Sequence, residues 1–209
     1  MRKKVVMEKA ESKRLFIALL PDDTVRDALE ITQQSLRKEA TRARETARPN
    51  LHLTLAFLGS LDESGEWAAR DALQQTARQM AGEPPLKLKL GAVGAFPKRK
   101  GGSVLWRGLA DGRDTVRVHA LREILRLHLA ANGLDIEERF TPHLTLARSV
   151  RLEAVPGMHE RQNLENLCRA LTAEAPRASC TVDRISLMRS FRAEENGALT
   201  YAEIGQVRW

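Results

Sequence analysis

A chain of 209 residues, 43% of them hydrophobic, is long enough for one sizeable core or two small lobes that share one, which argues against disorder throughout. Lys and Arg number 34 against 27 Asp and Glu, a formal charge of +7 with a sequence pI near 9.8, which suits a polyanionic partner such as nucleic acid, although many basic proteins bind none. The two cysteines, Cys168 and Cys180, lack CxxC spacing and so argue against a disulfide framework or a thiolate zinc site, and no run of about 18 apolar residues or signal-like apolar core occurs, so a cytoplasmic protein that does not span a membrane is expected.

Residues 1–12 are charge-rich and aperiodic, which reads as a loose extension, and no linker divides residues 13–209 into independent domains. Leu15, Ile17 and Leu19 alternate with Phe16 and Ala18, as in a strand with one wall on the core. After Pro21, Asp22 or Asp23 can cap a helix whose Val25, Ala28, Leu29, Thr32 and Leu36 fall at helical spacing, with Pro49 as its latest possible end. His52-Leu53-Thr54-Leu55-Ala56 then reads as a strand and Gly59 to Gly65 as turn residues. Ala69, Leu73, Ala77 and Met80 form one side of a second helix that stops near Gly82.

Leu86, Leu88 and Leu90 alternate with Lys87 and Lys89, and together with the segment from Ser103 to Leu109 they predict a hairpin. Its tip, Lys98-Arg99-Lys100-Gly101-Gly102, is basic and is either an RNA contact or a plain polar loop. A third helix buries Val118, Leu121, Ile124, Leu125 and Leu129 and ends near Asn132-Gly133, ahead of the strand His143-Leu144-Thr145-Leu146-Ala147. Leu164, Leu167, Cys168 and Leu171 form a further helix stripe in which Cys168 is a packed thiol, and two strands, around Cys180 to Met188 and Leu199 to Val207, close the chain. The hairpin and closing strands favour antiparallel pairing, so the expected class is α+β and not a parallel doubly wound sheet.

The pentapeptide at His52 recurs unchanged at His143, 91 residues on, and both copies follow soon after a proline, Pro49 and Pro142. Strand alternation sets each His beside a Thr on one face while both Leu residues point the other way. A lone histidine in a strand is usually structural, but a duplicated one suggests related halves that bring two like sites together across a cleft. Two imidazoles with neighbouring hydroxyls suit metal-free acid–base chemistry at an anionic phosphate: one proton acceptor, one donor, and two hydrogen-bond donors for non-bridging oxygens. A zinc site is the first competitor, but neither motif adds another His, Asp, Glu or Cys on its face. Gly-rich phosphate loops and a Ser nucleophile elbow are also missing from the sequence. His119, His128 and His159 fall outside the pattern and read as structural or solvated.

These residues resemble the two-histidine phosphoesterases, and among them the bacterial RNA 2′,3′-cyclic phosphodiesterases, long called 2′-5′ RNA ligases. The resemblance runs from Arg14-Leu15-Phe16-Ile17-Ala18 through Asn50-Leu51-His52-Leu53-Thr54-Leu55 with Phe57-Leu58-Gly59, then Phe96-Pro97 and Val104-Leu105-Trp106. It continues through Phe140-Thr141-Pro142-His143-Leu144-Thr145-Leu146-Ala147-Arg148 to Leu187-Met188-Arg189-Ser190. It departs before His52, where an aromatic residue often stands, and at Gly205 to Trp209.

The resemblance implies a bilobal catalytic domain over residues 13–209, with two pseudo-symmetric antiparallel sheets flanked by helices around a central cleft. It implies that His143 activates water as proton acceptor while His52, as proton donor, protonates the leaving 3′ oxygen and yields a 2′-phosphomonoester. Thr54 and Thr145 would hold phosphate oxygens. Phe16 resembles the position that packs near the nucleotide, beside its reading as an ordinary buried aromatic. Arg148 resembles an arginine near the phosphate, although strict alternation points it away and a strand end or bulge is needed to bring it in. No metal or cofactor is expected, the substrate being RNA with a 2′,3′-cyclic phosphate end or a related cyclic nucleotide, acted on by a monomer. Two alternatives stand beside hydrolysis: ATP-independent 2′-5′ joining of RNA or tRNA halves, and a non-catalytic module that holds RNA ends.

Overall fold

The computed structural model describes residues 12–98, 102–195 and 197–209; the charged stretch 1–11 and the tip residues Arg99, Lys100 and Gly101 of the expected hairpin lie outside them. The chain runs β1 (Lys13–Leu19), α1 (Asp23–Glu39), β2 (Arg42–Glu45), a 3-10 turn (Arg48–Asn50), β3 (Leu53–Leu61), α2 (Glu63–Met80), β4 (Leu86–Phe96) and β5 (Ser103–Leu109). It continues with α3 (Arg113–Ala131), β6 (His143–Arg151), α4 (Glu160–Glu174), β7 (Ser179–Val182), β8 (Arg184–Arg192) and β9 (Leu199–Arg208).

Local chemistry accounts for most boundaries. The Asp22 carboxylate accepts the Val25 N–H and caps α1, whose buried face is the expected stripe plus Gln33. Asp62 does the same for Gly65 at the start of α2. The segment around Gly59 is not the turn expected: β3 runs on to Leu61, and Gly59, with φ +76, sits at an irregularity of the β1–β3 ladder that only a residue at ease with positive φ fits well.

All strand pairs are antiparallel, in the order β7-β4-β5-β6-β3-β1-β8-β9, with β2 added on the free edge of β6. The chain thus divides into a half-sheet β3-β1-β8-β9 and a half-sheet β6-β5-β4-β7. They meet through one residue pair, Leu53 opposite Leu144, the second residue of each repeated pentapeptide. The two copies are therefore brought side by side at the junction, related by the pseudo-symmetry that their duplication suggested.

Two further expectations need correction. The first helix, allowed to run as far as Pro49, ends at Glu39, and Arg42-Ala43-Arg44-Glu45 forms the unexpected β2, which has no apolar alternation and owes its conformation to pairing with β6. The closing stretch from Cys180 to Met188 is two strands, broken at Asp183: β7 joins β4, whereas β8 joins β1 and β9. One sheet face carries the main core, in which Leu15, Ile17, Leu53, Leu144 and Leu146 pack with Leu29, Leu73, Leu121 and Leu125 from the helices. The other face bears a small buried apolar cluster, Phe16, Ala18 and Met188 with Leu20 and Tyr201 against it, and this is the face on which both histidines lie.

Candidate active site at the junction of the half-sheets

Each histidine is tethered the same way. Nδ1 of His52 lies 2.7 Å from the carbonyl of Asn50, and Nδ1 of His143 lies 2.7 Å from that of Thr141. A carbonyl oxygen can only accept, so each Nδ1 carries its proton and donates it, leaving Nε2 of the neutral ring as the reactive nitrogen. Nε2 of His52 is 2.9 Å from Thr54 Oγ1, which sets the hydroxyl beside the imidazole as the HxT spacing predicts.

The same irregularity follows in both copies. Thr54 and Ala56 pair with Ala18 and Ile17 while Leu55 has no opposite partner; Thr145 and Ala147 pair with Trp106 and Leu105 while Leu146 has none. Leu and Ala are then buried in succession, and alternation resumes one residue out of phase. Arg148, which strict alternation would point away, is thereby turned onto the histidine face. Its equivalent in the first copy is Phe57, a phenyl ring left 65% exposed near Phe16, with 6.4 Å between ring centroids. The Leu146 carbonyl at the bulge accepts from the Thr46 N–H and from Nε2 of the buried Gln33, both at 2.8 Å.

Aromatic rings hold both imidazoles. His52 packs against Phe16 and, edge-on, Tyr201, at 4.8 and 5.2 Å between centroids; His143 packs against Phe96 and Trp106 at 5.1 and 5.8 Å. The Trp106 indole covers Gly94 so closely that a Cβ there would lie 2.3 Å from a ring carbon, so only glycine lets the ring reach His143. Burial pushes His52 down to about 4, with the charges of Arg148 and His143 adding to the effect and the Asn50 hydrogen bond opposing it. His143 is lowered by burial and by Arg148, against the Thr141 hydrogen bond. Arg148 therefore acts electrostatically on both rings, where a phosphate anion would sit.

His52, Thr54, His143, Phe16 and Arg148 are brought to one face, and Thr145 occupies on β6 the place of Thr54 on β3. Sequence reasoning missed Tyr201, and gave Asn50, Phe57, Phe96 and Trp106 no role beyond their places in the segments that carry the resemblance. The Asn50 side chain donates to the Leu199 carbonyl at 2.8 Å and accepts the Tyr201 N–H at 3.2 Å, fixing β9 against His52 while its own carbonyl holds the ring. A cavity of about 370 Å³ opens from the site beyond His143, bounded by Thr54, Phe57, Phe96, Arg122 and Phe140. The histidines outside the motif do other work: His119 stacks edge-on with Phe140 and His128 meets Gln79. Burial raises the Cys168 thiol to about 11, as befits a packed side chain. Among the described residues, no three His, Cys, Asp or Glu side chains cluster as metal ligands.

Residues 21–194 match the model of the 2'-5' RNA ligase superfamily. The chain is 30% identical over 135 residues to the RNA 2',3'-cyclic phosphodiesterase of Thermotoga maritima, covering 65% of this chain and 69% of that one. It is 33% identical over 147 residues to the protein of the same name from Escherichia coli, covering 66% and 73%. Among solved structures, E. coli LigT complexed with 3'-AMP superposes with a TM-score of 0.65 at 25% identity, over 95% of this chain and 98% of that one.

Proposed function

The chain belongs to the 2'-5' RNA ligase superfamily, and from that premise we propose that it is an RNA 2′,3′-cyclic phosphodiesterase, opening the cyclic phosphate at an RNA 3′ end to a 2′-phosphomonoester. The observation that carries this reading is the matched pair of imidazoles at the Leu53–Leu144 junction, each with Nδ1 tethered to a carbonyl and Nε2 left for proton transfer.

Nε2 of His143 takes a proton from water as the water oxygen bonds to phosphorus. The bond from phosphorus to the 3′ oxygen breaks in line, and Nε2 of His52 gives that oxygen its proton. Thr54, Thr145 and Arg148 hold the non-bridging oxygens, whose charge builds in the transition state. Phe16 and Tyr201 keep water from the back of His52, and Phe16 borders the nucleoside. The residues 13–209 act as one bilobal catalytic domain, and we place the reaction in the cytoplasm, on a monomer; among the described residues no helix is long and apolar enough to cross a membrane. With a 5′-hydroxyl of another strand in place of water, the same pair in the same roles would join ends through a 2′-5′ bond, His143 taking the hydroxyl proton and His52 protonating the leaving 3′ oxygen.

Incubation with an oligonucleotide ending in a 2′,3′-cyclic phosphate, followed by phosphorus NMR, tests the reading. A 2′-phosphomonoester is expected; a 3′-phosphomonoester would reverse which oxygen leaves, and unchanged substrate would leave only an RNA-end-binding module.

A further inference from the structure

The histidine-bearing face continues past Arg148. β2 lies antiparallel to the outer part of β6, with Arg44 directly opposite Arg148 and Arg42 opposite Arg151. Directly opposed residues of neighbouring strands project from the same face. Ala43 and Glu45 alternate to the other side, where Ala43 packs on the core and Glu45 is held by Arg37 of α1. Two arginine pairs therefore lead outward from the reacting centre along β6, which advances about 3.3 Å per residue. Arg42, Arg44 and Arg151 are exposed.

Among the described residues, none of these four side chains makes an ion pair or a hydrogen bond. By contrast, Arg37, Arg48, Arg70, Arg117 and Arg126 each lie within 3.1 Å of a carboxylate. Like charges placed directly opposite one another destabilise a ladder, so two such pairs in succession cost the free protein stability that an anion lying between the arms would restore. Arg148 and Arg151 are three residues apart on β6, at most about 10 Å along the strand, so the two pairs offer successive positions to a linear polyanion. Resting on the cyclic-phosphodiesterase reading, we propose that Arg42, Arg44 and Arg151 form a track for the phosphodiester backbone on the 5′ side of the cyclic end, so that a longer strand is preferred to a nucleoside 2′,3′-cyclic phosphate. The ribose bearing the cyclic phosphate is joined through its 5′ oxygen to the next phosphate, which the track would receive as Arg148 holds the reacting one.

The double variant Arg42→Gln/Arg44→Gln, and separately Arg151→Gln, remove charge from exposed positions while keeping much of the side-chain stem. Steady-state kcat/KM is measured on an eight-nucleotide RNA ending in a 2′,3′-cyclic phosphate and on a nucleoside 2′,3′-cyclic phosphate, at several salt concentrations, with circular dichroism to verify folding. The expected result is a loss of roughly 10-fold or more on the oligonucleotide, with the nucleoside substrate unchanged within twofold. The salt dependence on the oligonucleotide should flatten by about 0.7 log units per log unit of salt for each contact removed. Equal losses on both substrates, or none on the oligonucleotide, would overturn the track. Should the wild-type protein cleave neither substrate, the enzymatic reading fails by itself, and anisotropy with a fluorescent oligonucleotide bearing a 3′-phosphate decides the track: weaker binding by the variants supports it and equal binding overturns it.

Discussion

In the unliganded protein at pH 7, His52 and His143 are both neutral, because burial and the charge of Arg148 disfavour their protonated forms. The general acid must then gain its proton with the substrate, whose phosphate charge favours an imidazolium. Since kcat/KM reports the free enzyme, its acid and base limbs are expected below pH 6.5, and the basic limb of kcat should lie higher. Proton NMR of His52 should show its midpoint rise from about 4 when inorganic phosphate is added; a midpoint unmoved by bound phosphate would contradict its role as proton donor. The same shift links to stability. Between pH 6.5 and about 4 the unfolded chain takes up a proton that folded His52 refuses, so stability present above pH 6.5 is lost as pH falls, and His52→Phe should flatten that slope in denaturant titrations. Replacing either imidazole, His52→Ala or His143→Ala, should lower turnover roughly 10²-fold to 10⁴-fold with the fold retained, as checked by circular dichroism and initial rates.

At the scale of elements, the bulges decide what the strands present. The HLTLA pattern told which face would bury, because the Leu residues alternate with His and Thr, and the helices were legible from their stripes and caps. Strict alternation nevertheless pointed Arg148 away, since the bulge at Leu146 depends on Gln33 and Thr46, which meet that carbonyl only in the folded protein. A faint signal was present: alternation would spend the cleft face on Ala56 and Ala147, side chains too small to use it. β2 was illegible for the same reason as the bulge, being a polar segment shaped by its partner strand. Gln33→Leu should leave the Leu146 and Thr46 carbonyls short of a donor and cost about 1–3 kcal/mol in chemical denaturation. If Arg148 is aimed by the bulge, KM for the cyclic phosphate should rise with it. Gly94→Ala should drive Trp106 off its backbone floor, changing tryptophan fluorescence and lowering activity through His143, whereas an unchanged rate would show that the ring does not position that imidazole.

For the whole molecule, the duplication explains why a cleft exists at all. Among the described residues the ladders of the two half-sheets join only at the Leu53–Leu144 pair, which leaves their motif faces adjacent, so one imidazole from each half can address a single phosphate. The site is symmetric in its tethers and asymmetric around them: Arg148 stands in one half where Phe57 stands in the other, and Tyr201 arrives from β9, far in sequence from either motif. No pattern local to Tyr201 could have pointed to it, because its place depends on the closing hairpin β8–β9 and on the Asn50 amide. The central claim is that the two imidazoles divide the labour, His52 protonating the 3′ oxygen and His143 activating water. It is tested most directly by a cyclic substrate whose bridging 3′ oxygen is replaced by sulfur, a leaving group that needs no proton. Rates of His52→Ala and His143→Ala on this substrate, each relative to the oxygen parent, should show strong rescue of His52→Ala and little of His143→Ala; preferential rescue of His143→Ala would reverse the roles, and rescue of neither would contradict proton transfer by the pair.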